Sequence, residues 1–180
     1  MTVVTRVSKE TQITLALRAG TGVSQVRTGD DFLDHMLVVF ARYAGVDLDV
    51  EATGDLRHHL IEDVAITLGQ AVAAFAPAGC ARFGERTMAM DDALVQVVLD
   101  IGGRPYYRGP LPAPLYDHFL RSFADNARTT LHVRVLRGRD RHHIVEAAIK
   151  ALGLSLRDAL ADTGMVFSTK GSVRLDITEE

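Results

Sequence analysis

The chain has 180 residues, which is enough for one domain or two closely packed halves with a buried core. Its net charge of −3 and its aromatic content of 6% argue against nucleic acid or an anionic membrane as a partner. The single cysteine, Cys80, excludes an intrachain disulfide and fits a reducing compartment. The first residues lack the basic and apolar regions of a signal peptide, and no apolar run is long enough to cross a membrane. We therefore expect a cytoplasmic protein.

Hydrophobic periodicity predicts alternating strands and helices in the first part of the chain. Alternation of apolar and polar residues predicts strands over 11–18 and 46–52, and residues 23–28 are expected to pair back on the first of these as a second strand. Helical spacing predicts a helix over 32–43, with Asp31 as its cap, and a further helix that follows residue 59 and continues to residue 75.

The second part of the chain repeats this order. The spacing predicts strands over 93–101 and 129–136 and helices over 115–127 and from 144 to about 161. The agreement of element order and motif position indicates an internal duplication, with half-repeats 1–88 and 89–180 packed as one globular unit. The predicted fold class is α+β, with a mostly antiparallel sheet in each half and helices on one face of each sheet.

Two copies of the motif His-His-x-x-Glu dominate the chain: His58-His59-x-x-Glu62 and His142-His143-x-x-Glu146. Imidazole and carboxylate groups are ligands for divalent transition metals such as manganese, iron and zinc. On a helix, residues three or four apart share a face, whereas adjacent residues diverge by about 100°. Each glutamate can therefore join one histidine of its pair at a metal ion, and each pair is predicted to serve two separate metal positions.

Two further histidines, His35 and His132, would complete two shells of three histidines and one glutamate. Such shells leave coordination positions open for substrate and water, which is typical of catalytic metal sites. An isolated pair of histidines usually lies on the surface without binding a metal, but the recurrence of the motif at matched positions favours metal binding. His118 aligns with His35 in the duplication, and it is interpreted as a surface residue rather than a ligand.

Other residues suggest anion binding and proton transfer. Carboxylates that could act as acid or base are Glu10 and the pair Asp91 and Asp92, although spacing alone favours a solvated strand end for Glu10 and a cap for Asp91. Arginine, serine and lysine side chains beside flexible glycines suit a phosphate, and four such residues are Arg82, Arg104, Ser168 and Lys170.

These motifs together resemble the imidazoleglycerol-phosphate dehydratase family of histidine biosynthesis along nearly the whole chain. The chain departs from the family pattern at Tyr43, where a histidine is common, and at residues 54–57, which form a shortened approach to the first pair. The strings that carry the resemblance are Lys9-Glu10-Thr11, Phe32-Leu33-Asp34-His35-Met36-Leu37, His58-His59-x-x-Glu62-Asp63, Met90-Asp91-x-Ala93-Leu94, Gly103-Arg104-Pro105-Tyr106, Thr130-Leu131-His132, His142-His143-x-x-Glu146-Ala147 and Ser168-Thr169-Lys170-Gly171.

The resemblance implies a fold like that of the second domain of ribosomal protein S5. It also implies an assembly of 24 subunits whose active sites lie at subunit interfaces, each with two manganese ions held by ligands from neighbouring subunits. Carried over to this chain, the phosphate contacts would be Arg82, Arg104, Ser168 and Lys170, with Glu10 at the substrate. The implied metal ligands are His35, His58, His59, Glu62, His132, His142, His143 and Glu146.

The implied reaction is a carbon–oxygen hydro-lyase reaction that converts D-erythro-imidazole glycerol phosphate to imidazole acetol phosphate. The proton to be removed lies on a carbon that no carbonyl activates, so the hypothesis is that metal ions bind the imidazole as imidazolate and that the ring expels hydroxide. Glu10 and Glu146 are the candidates for moving protons. Two alternatives are a metal-dependent hydrolase of a phosphorylated small molecule and a metal-binding paralogue without dehydratase activity.

Overall fold

The structure, a computed structural model, describes residues 1–165. In this part of the chain the order of three strands, a helix, a strand and a helix occurs twice. The first set comprises β1 (Thr2–Val7), β2 (Thr11–Ala19), β3 (Ser24–Arg27), α1 (Asp31–Ala44), β4 (Val46–Gly54) and α2 (Arg57–Phe75). The second set comprises β5 (Phe83–Met90), β6 (Ala93–Asp100), β7 (Tyr106–Arg108), α3 (Pro114–Asn126), β8 (Thr130–Arg137) and α4 (Arg141–Ala159).

The two sets form two sheets of the same topology. Their strand orders are β1-β2-β4-β3 and β5-β6-β8-β7, and only the last pairing in each sheet is parallel. This confirms the predicted duplicated α+β fold with mostly antiparallel sheets. The prediction that residues 23–28 pair back on β2 is wrong. The strand β3 instead lies on the far side of β4, because α1 is the crossover that joins two parallel neighbours.

The core lies between the sheets and the helices. Alternate residues of β2, namely Ile13, Leu15 and Leu17, are fully buried, while their neighbours along the strand face away from the helices. The helix α1 packs on α4, and α2 packs on α3, so the helices form the interior layers and the sheets the outer ones. Each large apolar side chain buried in this way contributes about 1.5–3 kcal/mol.

A glycine sits at the contact of each helix pair. A Cβ on Gly69 of α2 would lie 2.7 Å from the carbonyl oxygen of Phe123 in α3, and one on Gly153 of α4 would lie 2.8 Å from Cβ of Tyr43 in α1. Each glycine occupies the same position in its helix, counted from Arg57 or Arg141. The duplication therefore preserves the close helix crossing as well as the order of elements.

Several predicted boundaries need correction. The predicted half-repeat boundary at residue 88 falls inside β5. Because β5 belongs wholly to the second sheet, the boundary between the two halves lies before Phe83. The cap of α1 is Asp30 and not Asp31, because the Asp30 carboxylate accepts a hydrogen bond from the Leu33 backbone N–H at 2.8 Å. The final helix begins at Arg141, before the second histidine pair, with Asp140 as its cap.

Three strands, β1, β5 and β7, were not predicted. Within the part of the chain that the structure describes, no helix is both long and apolar enough to span a membrane.

Candidate metal centre

The four helices begin at the same end of the interior layer. The Phe32 ring of α1 lies 5.0 Å from the Tyr116 ring of α3 and 5.0 Å from the His142 ring of α4. The start of α2 joins this cluster through an ion pair between Arg57 and Asp30, the cap of α1. Side chains from all four helix starts therefore meet in one region, and both histidine pairs lie there.

The first of two potential metal-binding groups, the α4 group, consists of His35, His142 and Glu146, whose donor atoms all lie within 4.8 Å of one another. Nε2 of His142 is 3.1 Å and Nε2 of His35 is 3.4 Å from Oε2 of Glu146. The histidine side chains are about half exposed, whereas that of Glu146 is only 8% exposed. The group therefore has a buried carboxylate and two imidazoles open to solvent, which leaves room for a further ligand.

A neighbouring lysine forms an ion pair with the carboxylate of the α4 group. Nζ of Lys150, one helical turn further along α4, lies 2.8 Å from Oε1 of Glu146. Burial raises the pKa of the Glu146 carboxyl, but the hydrogen bonds from Lys150 and His35 outweigh burial, so the pKa lies below its ordinary value. Glu146 is consequently a carboxylate, the form that binds a cation, at neutral pH.

The second group, the α2 group, consists of His58, Glu62 and His118, and its donor atoms also lie within 4.8 Å of one another. Nε2 of His58 is 3.5 Å from Oε2 of Glu62, and Nε2 of His118 is 3.2 Å from Oε1 of the same carboxylate. The rings of His58 and His118 are stacked, with centroids 5.2 Å apart. Each group thus combines a His-x-x-x-Glu face of one helix with a histidine from the helix packed against it.

The second histidine of each pair points away from its group. The rings of His58 and His59 are inclined at 81°, and those of His142 and His143 at 83°. This divergence is the one that helical geometry predicts for adjacent residues. That each pair serves two ions remains a prediction.

These outward histidines each meet an aspartate. Nδ1 of His59 lies 2.9 Å from Asp55, and Nδ1 of His143 lies 2.8 Å from Asp92. The hydrogen bond that His59 donates to Asp55 raises the pKa of His59, and the one that His143 donates to Asp92 raises the pKa of His143. In return, His143 is the largest cause that lowers the pKa of Asp92, to about 2. In both halves an aspartate orients the imidazole and strengthens its basicity.

Hairpin turns bring further carboxylates to the same two imidazoles. Glu10 lies between β1 and β2, and its Oε2 is 3.7 Å from Nδ1 of His59. Asp91 lies between β5 and β6, and its Oδ2 is 3.2 Å from Nε2 of His143. The acid–base candidates thus occupy equivalent turns in the two halves, each beside the outward histidine, and the side chain of Glu10 is 56% exposed.

The arginines expected to bind phosphate lie elsewhere. Arg82 precedes β5 and forms two hydrogen bonds to Asp100 at the end of β6, of 2.5 and 3.0 Å. Arg104, in the loop before β7, is exposed. The turn that carries Asp91 is at the opposite end of β6, which has eight residues and so spans about 25 Å. Within one chain, Arg82 and the Asp91 turn beside His143 therefore lie too far apart to touch one small molecule.

His132 belongs to neither group. It lies on β8 between the buried residues Leu131 and Val133, so it faces outward, away from the helices. Its strand partner is Val98, and its ring centroid lies 5.6 Å from that of Tyr106. The described chain therefore does not bring His132 to the other predicted ligands.

Comparisons with known proteins identify the family of this chain. A family model described as imidazoleglycerol-phosphate dehydratase matches residues 28–156. A relative of that name from Methanoculleus marisnigri is 44% identical, over 93% of this chain and 96% of its own length. Another, from Pyrococcus furiosus, is 43% identical, over 92% of this chain and 98% of its own length. The chain belongs to the imidazoleglycerol-phosphate dehydratase family.

Solved structures of this family have the same fold. The crystal structure of the Pyrococcus furiosus protein, in complex with (S)-C348, superposes with a TM-score of 0.86 at 42% identity and covers 94% of this chain and all of that one. The Staphylococcus aureus protein superposes with a TM-score of 0.80 at 33% identity, covering 90% of this chain and 99% of that one. Family membership confirms the predicted enzyme class, a hydro-lyase.

The site differs from the sequence interpretation at His118, which was expected to be a plain surface residue. Its side chain is 34% exposed and lies against Glu62 and His58. The signal that could have found it is its alignment with His35 in the duplication. Two predicted phosphate ligands, Ser168 and Lys170, lie outside the described residues.

Proposed function

We propose that the protein dehydrates D-erythro-imidazole glycerol phosphate to imidazole acetol phosphate, in the cytoplasm, with two bound manganese ions per active site. The observation that carries the proposal is the pair of equivalent His-His-Glu groups, each built from both halves of a chain of this family. Two nitrogen donors and one carboxylate per group suit manganese and neighbouring divalent metals.

The donor sets fit such an ion. The α4 group offers a carboxylate whose pKa is lowered, and the α2 group contains a buried nitrogen, Nε2 of His118, that makes no hydrogen bond although Glu62 lies 3.2 Å away. A buried imidazole nitrogen without a hydrogen bond is unusual, and a metal ion would satisfy it. His59, His143 and His132, predicted as ligands by resemblance, would complete the shells of neighbouring subunits.

The dimensions of one chain support the proposal of an active site shared between subunits. The phosphate arginines Arg82 and Arg104 lie at the end of the second sheet opposite to the turn beside His143, about 25 Å away. This separation favours an active site to which different subunits contribute. The exposed side chains Val98 and Tyr106 beside His132 offer an apolar surface that a neighbour would cover. This supports the proposal of a symmetric assembly, with 24 subunits as in the resemblance.

The side chains of the site suit the steps of a dehydration. Bound divalent ions supply the Lewis acidity that favours the deprotonated form of the substrate's imidazole. Glu10 is exposed, and its Oε2 lies 3.7 Å from Nδ1 of His59. It would accept the proton from the carbon chain of the substrate, and Glu146 is the second candidate for moving protons. Arg82 and Arg104 would hold the phosphate, and thereby fix the orientation of the carbon chain.

The test is turnover of the purified full chain with imidazole glycerol phosphate, before and after removal of metal by a chelator. We expect an enolisable ketone product with manganese, loss of turnover after chelation, and recovery when manganese is restored. Release of inorganic phosphate in place of the ketone would assign the protein to the hydrolases instead. Bound manganese without any product would identify a metal-binding paralogue.

A further inference from the structure

We propose that Asp63 is a positioning residue for Glu10, and that it acts through a polar anchor made of Arg6, Thr11 and Asp63 itself. The inference rests on the proposed function, in which Glu10 accepts the proton from the substrate. Asp63 follows the glutamate of the first histidine motif and belongs to neither of the two metal-binding groups.

The anchor ties the turn that carries Glu10 to α2. Oδ2 of Asp63 accepts a hydrogen bond from the Thr11 hydroxyl at 2.5 Å, and Oδ1 of Asp63 lies 2.9 Å from a guanidinium nitrogen of Arg6. Asp63 and Thr11 are buried, so water does not compete for their contact. Asp63 lies one helical turn after His59, on the same face of α2. The contact between Asp63 and Thr11 therefore keeps the neighbouring Glu10 beside His59.

The turn is also tied internally, so that its backbone moves together with Thr11. The Ser8 hydroxyl accepts hydrogen bonds from the backbone N–H groups of Glu10, at 3.1 Å, and of Thr11, at 3.0 Å. The backbone carbonyl of Glu10 accepts a hydrogen bond from the N–H of Asp55 at 3.0 Å. Because the Glu10 side chain is exposed, its position depends on this backbone rather than on burial.

The second half of the chain is built without such an anchor. Strand register and position in the helices give three equivalent pairs, which are Arg6 and Met88, Thr11 and Ala93, and Asp63 and Ala147. The apolar side chains at these places in the second half show that the fold does not require polar ones. A buried ion pair carries a desolvation cost that apolar packing avoids. Stability alone therefore does not account for the anchor beside Glu10.

The first experiment removes the anchor by copying the second half, with Arg6→Met, Thr11→Ala and Asp63→Ala combined in the full chain. This variant leaves no buried charge unpaired, so it should unfold within about 5 °C of the wild type. We expect amide hydrogen exchange over residues 8–11 to become at least about tenfold faster, while exchange in α4 is unchanged. Unchanged exchange in the turn would overturn the anchor, and this readout requires no turnover.

The second experiment links the anchor to catalysis. Thr11→Val removes the hydroxyl and Thr11→Ser keeps it. We expect Thr11→Val to lower kcat at least about tenfold with KM changed less than about twofold, and Thr11→Ser to remain near the wild type. In a chain that already carries Glu10→Gln, Thr11→Val should cause little further loss, since the anchor acts through Glu10, whereas general structural damage would add to it.

Thr5→Val, the same change at an exposed position of β1, is the matched control and should leave kcat unaltered. Wild-type kcat in Thr11→Val, or a loss fully additive to that of Glu10→Gln, would overturn the positioning role. A wild type without turnover would instead refute the proposed function, and the exchange measurement would still decide whether the anchor holds the turn.

Discussion

Replacement of Gly69 by alanine tests whether the crossing of α2 and α3 holds the α2 group together. In an open helix, alanine would stabilise the protein by about 1 kcal/mol relative to glycine. Here the added Cβ would lie 2.7 Å from the Phe123 carbonyl oxygen and 2.9 Å from the Ala127 backbone nitrogen. Both are backbone atoms that cannot rotate away, so α3 must move by about 0.7 Å to restore ordinary contact.

Overpacking of this kind costs about 1–3 kcal/mol, and rigid backbone on the opposing side favours the upper end. With the gain in helix propensity subtracted, Gly69→Ala should lower the free energy of unfolding by about 2 kcal/mol. For a chain of this size that corresponds to a fall in Tm of about 4–8 °C. Because α3 carries His118, the displacement should also weaken manganese binding at the α2 group and spare the α4 group.

The assay is thermal unfolding of the wild type and the variant at equal protein concentration, followed by circular dichroism. The control is Gln70→Ala, a change at the next, exposed position of α2, which should alter stability by less than about 0.5 kcal/mol. A variant Gly69→Ala that is as stable as the wild type, or more stable, would refute the close crossing of the two helices.

Three further predictions concern charged groups. Glu10→Gln should reduce turnover by about 10²–10⁴-fold with unchanged metal content, and normal turnover would remove Glu10 from the mechanism. Lys150→Met should destabilise the metal-free protein by about 3 kcal/mol in denaturant titrations, since it leaves the buried Glu146 carboxylate without its cation, whereas Lys150→Arg should not. The raised pKa of His143 gives stability that is present below about pH 6.5 and lost as pH rises, and the lowered pKa of Asp92 gives stability that is present above about pH 4. Asp92→Asn should therefore lower the Tm of the metal-free protein more at about pH 5.5 than at pH 9, and equal losses at both would contradict the pairing.

Much of the fold could be predicted from strands and helices whose apolar residues recur on one face. The strand β2 and the helices α1 and α3 were predicted because each buries one face and exposes the other. The strand β1 escaped prediction because it is an edge strand with no fully buried residue, so its pattern has little contrast. The strand β7 has only three residues, too few for any periodicity. The partner of β3 could not be predicted, since alternation identifies a strand but not its neighbour.

Contacts of the site within one helix could be predicted from the sequence, whereas contacts between packed helices could not. The His-x-x-x-Glu faces of both groups follow from helical spacing alone. His118 has the local pattern of a solvated helix residue, and only the packing of α3 on α2 brings it to Glu62. His132 faces outward from its sheet, so the described residues of one chain do not bring it to the other predicted ligands.

The central claim is that the chain provides two metal-binding groups, each made of a His-x-x-x-Glu helix face from one half and a histidine from the other half. It is tested most directly by anomalous diffraction at the manganese absorption edge, on crystals of the protein saturated with manganese. The account predicts two anomalous peaks per chain, one within coordination distance of Glu62, His58 and His118 and one within that distance of Glu146 and His142. A single peak per chain, or peaks that lie away from both carboxylates, would contradict it.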